Sequence, residues 1–301
     1  MQPIVQCVPN ISEGRNREIV EAVVAVVRET PNVKLLDWSS DADHNRSVIT
    51  FVGTPDGVEE AAFALCAKAA ELIDMSAHTG EHPRMGATDV IPFIPIQGIS
   101  MEQCVELAHR VGKRIGEELK IPVYMYEYAA RTPARRNLAD VRKGQYEGLP
   151  KKLQQEDGIP DYGPRAFNAK SGATAVGARM PLVAFNVNLG TDNLEIANQI
   201  ARNVRLSGGG LKAVKAMGVK LEERGIVQVS MNMVNFKETP LYRAVELIRA
   251  EARRYGVSIL GSEIIGLVPL EAIVDSLRYY MGLEGFQTKQ ILETRLWSHE
   301  E

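Results

Sequence analysis

Two histidines four residues apart stand inside a long segment without a regular helix or strand pattern. His78 and His82 lie in DMSAHTGEHPRMGATD, residues 74–89, and are two of the five histidines in the chain. An imidazole titrates near neutral pH, so a histidine held beside a carboxylate can act as a general acid and base. We interpret His82, which stands between Glu81 and Arg84, as the candidate catalytic residue, with a plain surface histidine as the alternative.

The same residues match H-x-x-E-H, a spacing found in one class of zinc proteases. That site requires both imidazoles on one helical face, with the glutamate as base. Gly80 lies inside the motif and Pro83 follows it, and both residue types disfavour a helix. We therefore predict no metal site here.

Other polar and basic clusters could supply binding groups. Residues 41–46 are rich in turn formers, so they are either a simple hairpin loop or a polar wall of the same cleft, with Arg46 available for a carboxylate. Three basic pairs are separated from one another by other residues: Arg135-Arg136, Arg142-Lys143 and Lys151-Lys152. We interpret them as a solvated face, or as a surface that steers a polyanionic tail.

The elements that must position these groups follow one order in both halves of the chain. In the first half, strands are predicted at 4–8, 33–38, 47–53, 90–96 and 122–126, and helices at 15–28, 54–73 and 100–119. In the second half, strands are predicted at 182–189, 212–219, 228–233 and 257–264, and helices at 192–206, 239–255 and from 269. Both halves therefore have the order β-α-β-β-α-β followed by a helix.

This order predicts an α+β fold of tandem ferredoxin-like (βαββαβ) subdomains, residues 1–178 and 179–301, each with a four-stranded sheet covered mainly on one face. One doubly wound α/β domain is the alternative. The two halves differ in the length of one connection between a helix and the following strand. It is short in the second half, near Gly256, but spans residues 74–89 in the first. A long loop inside a compact unit is typical of a functional site.

A glycine- and proline-rich segment, residues 146–181, connects the halves. It begins with a short helical pattern, YEGLPKKLQQ, and its later prolines and glycines predict irregular structure. Pockets favour the region where two halves of a chain meet, so the segment is either a linker or a binding segment.

Composition and charge exclude several classes of protein. The 301 residues include 35 basic and 38 acidic side chains, a formal charge of −3, and 45% hydrophobic residues, as in globular proteins. This charge predicts neither nucleic acid nor a membrane surface as a partner. Three scattered cysteines, no basic leader and no long apolar run predict a cytoplasmic protein without disulfides, structural zinc or a membrane helix.

Four stretches of the sequence resemble the glutamate formimidoyltransferase family. They are CVPNISEGRN at 7–16, HNRSVITFVG at 44–53, GEHPRMGATDVIPFIP at 80–95 and LVAFNVNLGT at 182–191. The resemblance extends from Ile4 to about Leu270. It implies two ferredoxin-like subdomains, a homodimer, and transfer of a formimidoyl group between N5 of tetrahydrofolate and the amino group of L-glutamate in histidine breakdown.

The resemblance also assigns site residues. The family's catalytic histidine belongs to an E-H-P motif, which is His82 here, and its folate-binding stretch follows P-D-x-G-P. The matching folate-binding residues are Gly163, Pro164, Arg165, Ala166, Phe167, Asn168, Ala169, Lys170, Ser171 and Gly172. Tetrahydrofolate is then a co-substrate, and no metal is implied. The loop 38–44 departs from the fused members of the family, so its contacts are not carried over.

The implied reaction suggests further residues. Arginine side chains are suited to bind the carboxylates of glutamate, and a tetrahedral intermediate needs polar neighbours. The candidates for these roles are Asn10, Arg46, Arg84, Arg179, Asn186 and Asn188. Phe167 could line an apolar slot for the pterin ring. Two alternatives stay open: an N-formylglutamate:tetrahydrofolate formyltransferase, whose donor differs by one atom, and a non-catalytic folate-binding protein.

Overall fold

The computed structural model describes residues 2–297. The chain forms two compact units, one that ends at Arg179 and one that begins at Met180. Each unit is mixed α/β and has a sheet of its own.

The first unit contains the following elements. Its strands are β1 Ile4–Cys7, β2 Asn10–Ile11, β3 Val33–Asp41, β4 Arg46–Gly53, β5 Thr88–Gln97, β6 Val123–Glu127 and β7 Thr174–Ala178. Its helices are α1 Arg17–Glu29, α2 Pro55–Leu72, α3 Met101–Glu118, α4 Leu138–Val141 and α5 Gln145–Lys152.

The sheet of the first unit is larger than the sequence predicted. β1 and β2 lie between β4 and β5 and are antiparallel to both, while β3 pairs with the outer edge of β4. β7 then adds to β5, and β6 to β7, both in parallel. The predicted four-stranded sheet is therefore wrong for this unit, which has seven strands. β7 was missed because its sequence, TAVGA, is rich in small residues and resembles a loop.

Both faces of this sheet carry apolar side chains around β5 and β6. Ile91 and Phe93 pack with the buried faces of α1, α2 and α3, whereas Val90 lies in a second cluster with Tyr124 and Tyr126. Residues of α4 and α5 cover that second cluster. The expectation of helices mainly on one face is wrong here, because the segment before β7 folds over the opposite face.

Local capping signals determine where the helices of this unit begin. Thr54 accepts a hydrogen bond from the Gly57 amide and Pro55 stands at the first position of α2, as predicted. Ser100 and Gln103 form the predicted capping box of α3. Such a cap contributes about 1 kcal/mol to helix stability.

The second unit has a four-stranded antiparallel sheet in the order β11-β8-β10-β9. Its strands are β8 Val183–Leu189, β9 Val214–Leu221, β10 Ile226–Met233 and β11 Ile259–Ile265, and its helices are α6 Leu194–Val204, α7 Leu241–Arg253, α8 Leu270–Met281 and α9 Leu292–Trp297. Alternate residues of β8, such as Val187, enter a core with α6 and α7.

One helix start in this unit differs from the prediction. Thr239 does not cap α7, because its hydroxyl donates to Lys212 O and Pro240 occupies the cap position. The dipeptide Thr239-Pro240 therefore matches Thr54-Pro55 in sequence but not in its hydrogen bonds. No helix within residues 2–297 combines the length and apolar composition needed to cross a bilayer.

Candidate active site

The loop of residues 74–89 joins α2 to β5 and is anchored along its length. Near its start, the Met75 amide donates to Lys170 O at 2.8 Å. In its middle, the Glu81 amide donates to Asp43 O at 3.3 Å. These bonds connect the loop both to the segment of residues 163–172 and to the hairpin loop between β3 and β4.

The two histidines of the H-x-x-E-H motif have different surroundings. The backbone from residue 78 to 82 is not helical, so the imidazoles do not share a helical face. His78 is engaged by the fold, since Nε2 lies 3.0 Å from Asn45 O and Nδ1 lies 3.3 Å from Arg84 Nε. Within residues 2–297, no group of three or more His, Cys, Asp or Glu side chains is placed to hold a metal ion.

The hairpin loop of residues 41–46 packs directly on the loop of residues 74–89, the His82 loop. Asn45 is buried and accepts from the Gly14 amide at 2.9 Å, while its own amide donates to Thr79 O at 2.9 Å. A Cβ on Gly80 would lie 2.4 Å from His44 O, so the approach of the two backbones requires glycine there. Of the two sequence interpretations of this hairpin, the structure therefore favours a polar wall beside His82.

His82 is half-buried in a cationic setting. Its Nδ1 is buried and has no hydrogen-bond partner among the described residues. Burial, followed by the charges of Arg46, Arg142 and His44, lowers the pKa of His82 to about 3. The imidazole is therefore neutral at pH 7, in the form that accepts a proton. The ring of His44 lies edge-on to it, with centroids 6.1 Å apart.

This setting corrects the sequence interpretation of the neighbours of His82. We expected the Glu81 carboxylate to orient the imidazole and to keep its pKa in the useful range. Instead, burial of the ring and the nearby guanidinium charges lower that pKa. The chain turns at residues 81–82, and the Glu81 side chain is exposed. Adjacency in sequence does not bring side chains together in such a turn.

Among residues 2–297, the side chains of Arg46 and Arg142 are each hydrogen-bonded to one polar side chain. Arg46 Nη2 donates to Asn10 Oδ1, and Arg142 Nη2 is paired with Asp89 Oδ2. Burial and the nearby charge of Arg142 lower the pKa of Arg46 to about 10. Arg46, Asp89 and His82 line one small depression.

Arg142 is absent from the site candidates predicted from the sequence. The pair Arg142-Lys143 was expected to be part of a solvated face or of a surface that steers a polyanionic tail, but the Arg142 side chain is only 15% exposed and that of Asp89 3%. Lys152 and Arg135 are also largely buried. No local signal distinguishes these residues from surface cations, because their partners are distant in sequence.

The remaining arginine candidates are placed differently. Arg84 is bidentate with Glu147, at 2.9 and 2.6 Å, so its guanidinium is engaged in an internal ion pair. Arg179 follows β7, and its amide donates to Phe93 O at 3.0 Å.

The asparagine candidates of the second unit belong to a polar network on its sheet. Asn188 Oδ1 accepts from Gln228 Nε2 at 2.8 Å, and Asn186 Nδ2 donates to Glu263 Oε1 at 3.2 Å. Gln228 also donates to Glu263 at 2.6 Å. These side chains alternate along β8 with the apolar ones of the core.

The segment of residues 163–172 pairs with the His82 loop. Gly172 and Gly86 form an antiparallel bridge, and the Ala87 amide donates to Ser171 O at 2.9 Å. Phe167 is 39% exposed, and its ring centroid lies 5.4 Å from that of Tyr146. The two segments that the sequence singled out, more than 70 residues apart, are therefore neighbours in the fold.

The pKa of His82 makes stability depend on pH. The unfolded imidazole, with its ordinary pKa of 6.5, binds a proton between about pH 3 and 6.5, and the folded one does not. The free energy of unfolding contributed by this group is therefore complete above pH 6.5 and falls as pH is lowered through that window. We expect His82→Gln to flatten the dependence of urea unfolding between pH 4 and 6.5. An unchanged slope would contradict the buried neutral imidazole.

The sequence of this chain is similar to family models and to known proteins. Residues 4–179 match the family model described as "Formiminotransferase domain, N-terminal subdomain", and residues 184–295 match "Formiminotransferase domain". The chain is 57% identical over 297 residues to "Glutamate formimidoyltransferase" of Streptococcus pyogenes serotype M1, covering 98% of this chain and 99% of that one. It is 50% identical to the protein of the same name from Thermoplasma acidophilum, covering 97% of each.

A longer relative shows the same similarity over part of its length. "Formimidoyltransferase-cyclodeaminase" of Gallus gallus is 47% identical over 290 residues, which are 94% of this chain and 53% of that protein. The matched region therefore corresponds to about half of the longer relative.

Proposed function

The chain belongs to the formiminotransferase family, and we propose that His82 is the general acid and base with which it transfers a formimidoyl group between N5 of tetrahydrofolate and the amino group of L-glutamate. The observation that carries the role of His82 is its half-buried imidazole, neutral at pH 7, with an unpartnered Nδ1 among the described residues.

A single imidazole can serve both halves of the proton transfer. The amine of glutamate forms a bond to the formimidoyl carbon as neutral His82 takes its proton. The bond from that carbon to N5 then breaks as His82 returns the proton to N5. The proton lost by one amine is gained by the other, so no external acid or base is consumed.

Residues 163–172 are proposed to bind folate. Their contact with the His82 loop supports this, because folate held there would lie beside the loop that carries the catalytic residue. Phe167 presents an exposed ring that could pack on the pterin.

Saturating folate is expected to slow hydrogen exchange of the backbone amides in this segment. The amides of Ser171 and Gly172 already donate to Asn168, so the gain is expected chiefly at residues 165–167. Mass spectrometry of the peptide that covers 163–172 measures it, with α3 as an internal control. Protection elsewhere and none in this peptide would mean that the pocket is misplaced.

The amino-acid and intermediate contacts are proposed from the earlier candidates. Arg46 is proposed to bind a glutamate carboxylate, with Asn10 as its positioning residue, since both polar atoms of the Asn10 side chain already have partners. Asn186, Asn188 and Arg179 stay proposed polar contacts. Arg84 is proposed to hold the loop through Glu147, because its ion pair leaves it poorly suited to a substrate.

We propose that both units are ferredoxin-like subdomains, residues 1–178 and 179–301. The strand order of the second unit supports this. Its first strand, β8, lies between the fourth, β11, and the third, β10, and its second strand, β9, lies at the edge. In the first unit, β1 likewise lies between β5 and β4, with β3 outside.

The cellular setting is also a proposal. We propose a homodimer that works in the cytoplasm in histidine and one-carbon metabolism, with tetrahydrofolate as co-substrate. Folate and L-glutamate are its proposed small-molecule partners, without nucleic acid, membrane or a resident metal.

The deciding assay offers the purified protein 5-formimidoyltetrahydrofolate with L-glutamate and, in parallel, 5-formyltetrahydrofolate with L-glutamate. N-formimidoyl-L-glutamate and free tetrahydrofolate are the expected products of the first mixture. Turnover of only the formyl donor would identify a formyltransferase, and folate binding without turnover would identify a binding protein.

A further inference from the structure

The side chain of Arg142 is largely buried, and neither the sequence nor the proposed function assigns it a role. It follows the last residue of α4, and its side chain reaches Asp89 at the start of β5. Asp89 uses both carboxylate oxygens, because Oδ1 accepts from the Met85 amide at 2.9 Å and Oδ2 pairs with Arg142. Asp89 therefore fixes Arg142 relative to the His82 loop.

The charges around His82 do not balance. Arg46 and Arg142 both act on the imidazole, and Asp89 is the buried carboxylate among these groups. Asp41 also acts on Arg46, but it is exposed and lies 3.0 Å from His44 Nδ1. The site thus has an excess of positive charge.

Two buried hydrogen-bond donors without a partner also favour a bound anion. Nε of Arg46 and Nε of Arg142 are both buried and have no partner within residues 2–297. Leaving a buried donor unpaired costs about 1–3 kcal/mol, and more when the group is charged. A bound anion that accepts from both groups would remove this cost.

The chemistry of the amino-acid substrate identifies the anion. The reacting amine and the α-carboxylate of glutamate are attached to the same carbon. When the amine is within hydrogen-bond reach of His82, the α-carboxylate must lie within a few ångströms of it, whereas the γ-carboxylate can point away. We propose that Arg142, together with Arg46, binds the α-carboxylate of glutamate beside His82. This rests on the proposed transferase function and adds a specificity-determining residue to it.

This binding would link substrate recognition to proton transfer. A carboxylate between the two guanidinium groups offsets the charges that disfavour protonation of His82. The pKa of the imidazole would then rise toward its usual range when glutamate is bound, which brings it closer to the value suited to a proton shuttle.

The test compares L-glutamate with 4-aminobutyrate, which is glutamate without its α-carboxylate. For the unaltered protein, kcat/KM is expected to be about 10²-fold lower with 4-aminobutyrate, the loss typical of an unmade charged contact. Arg142→Gln should lower kcat/KM for glutamate about 10²-fold and change that for 4-aminobutyrate little, so the preference largely disappears. Arg142→Lys, which retains the charge opposite Asp89, should lose part of the preference.

Arg135→Gln is the matched control. Arg135 pairs with Asp161 at 2.7 Å with side chains 15% and 4% exposed, nearly the burial of the Arg142–Asp89 pair. Loss of a buried ion pair alone should therefore be similar in both variants, but Arg135→Gln should keep the preference for glutamate.

Four outcomes separate the possibilities. Equal losses on both substrates in Arg142→Gln would reduce Arg142 to a structural residue, and equal use of the two substrates by the unaltered protein would overturn the proposal outright. If Arg142→Gln fails to fold, an unchanged preference in Arg142→Lys would overturn it. Absence of any formimidoyl transfer to glutamate in the unaltered protein would instead refute the proposed function.

Discussion

Replacement of His82 with alanine is expected to lower kcat for formimidoyl transfer by about 10²–10⁴, the range that a positioned acid and base contributes. The KM for folate should change little, because proton transfer stabilises the transition state and not the bound substrate. The variant should fold, since the imidazole is only half-buried and its Nδ1 makes no hydrogen bond to the described residues. Steady-state kinetics, with folate binding measured separately, checks both parts.

His78→Ala is the informative comparison for this prediction. His78 lies on the same loop, but its imidazole bonds to Asn45 O and Arg84, so we assign it to holding the loop. Its removal should lower the free energy of unfolding by about 1 kcal/mol and should lower kcat less than His82→Ala does. A larger loss of kcat in His78→Ala, or near-normal turnover in His82→Ala, would refute the assignment.

Gly86→Ala is expected to have the second largest effect, because it would separate the His82 loop from residues 163–172, the segment proposed to bind folate. A Cβ at this position would lie 2.4 Å from both Ala173 O and Ser171 O, which are backbone atoms that cannot rotate away. Overpacking of this kind costs about 1–3 kcal/mol or more. A displacement of about 1 Å at the site can lower kcat/KM about 10²-fold. Urea unfolding and steady-state kinetics measure the two effects.

Gly148→Ala provides the matched control for the same substitution. Gly148 lies in α5, and a Cβ there would meet nothing within 4 Å. It should keep normal activity and gain up to about 1 kcal/mol, because alanine is the better helix former. Equal behaviour of the two alanine variants would mean that the contact between the segments is unimportant.

Much of the secondary structure could be predicted because its signals are local. On α1, Val20, Val23, Val24 and Val27 are buried, and the pattern that places them on one face repeats within a few residues. The capping box of α3 is formed by Ser100 and Gln103, which are three residues apart in the sequence. Such features depend on neighbours along the chain, so the sequence is sufficient to find them.

Features that depend on distant neighbours could not be predicted. β7 forms a strand because β5 and β6 on either side supply its hydrogen bonds, not because TAVGA favours one. Thr239 would cap a helix by its local sequence, but Lys212 O offers its hydroxyl a better partner.

The sequence by itself determined the family, the alternation of helices and strands, and the two segments that we propose as the site, because each of these signals lies in residues close together in the chain. Only the tertiary structure decided the electrostatics of the site. It replaced the expected Glu81 carboxylate with the guanidinium groups of Arg46 and Arg142, and it engaged Arg84 with Glu147. The pKa of a group depends on burial and on the charges that surround it in space, and folding brings those charges from segments far apart in the chain.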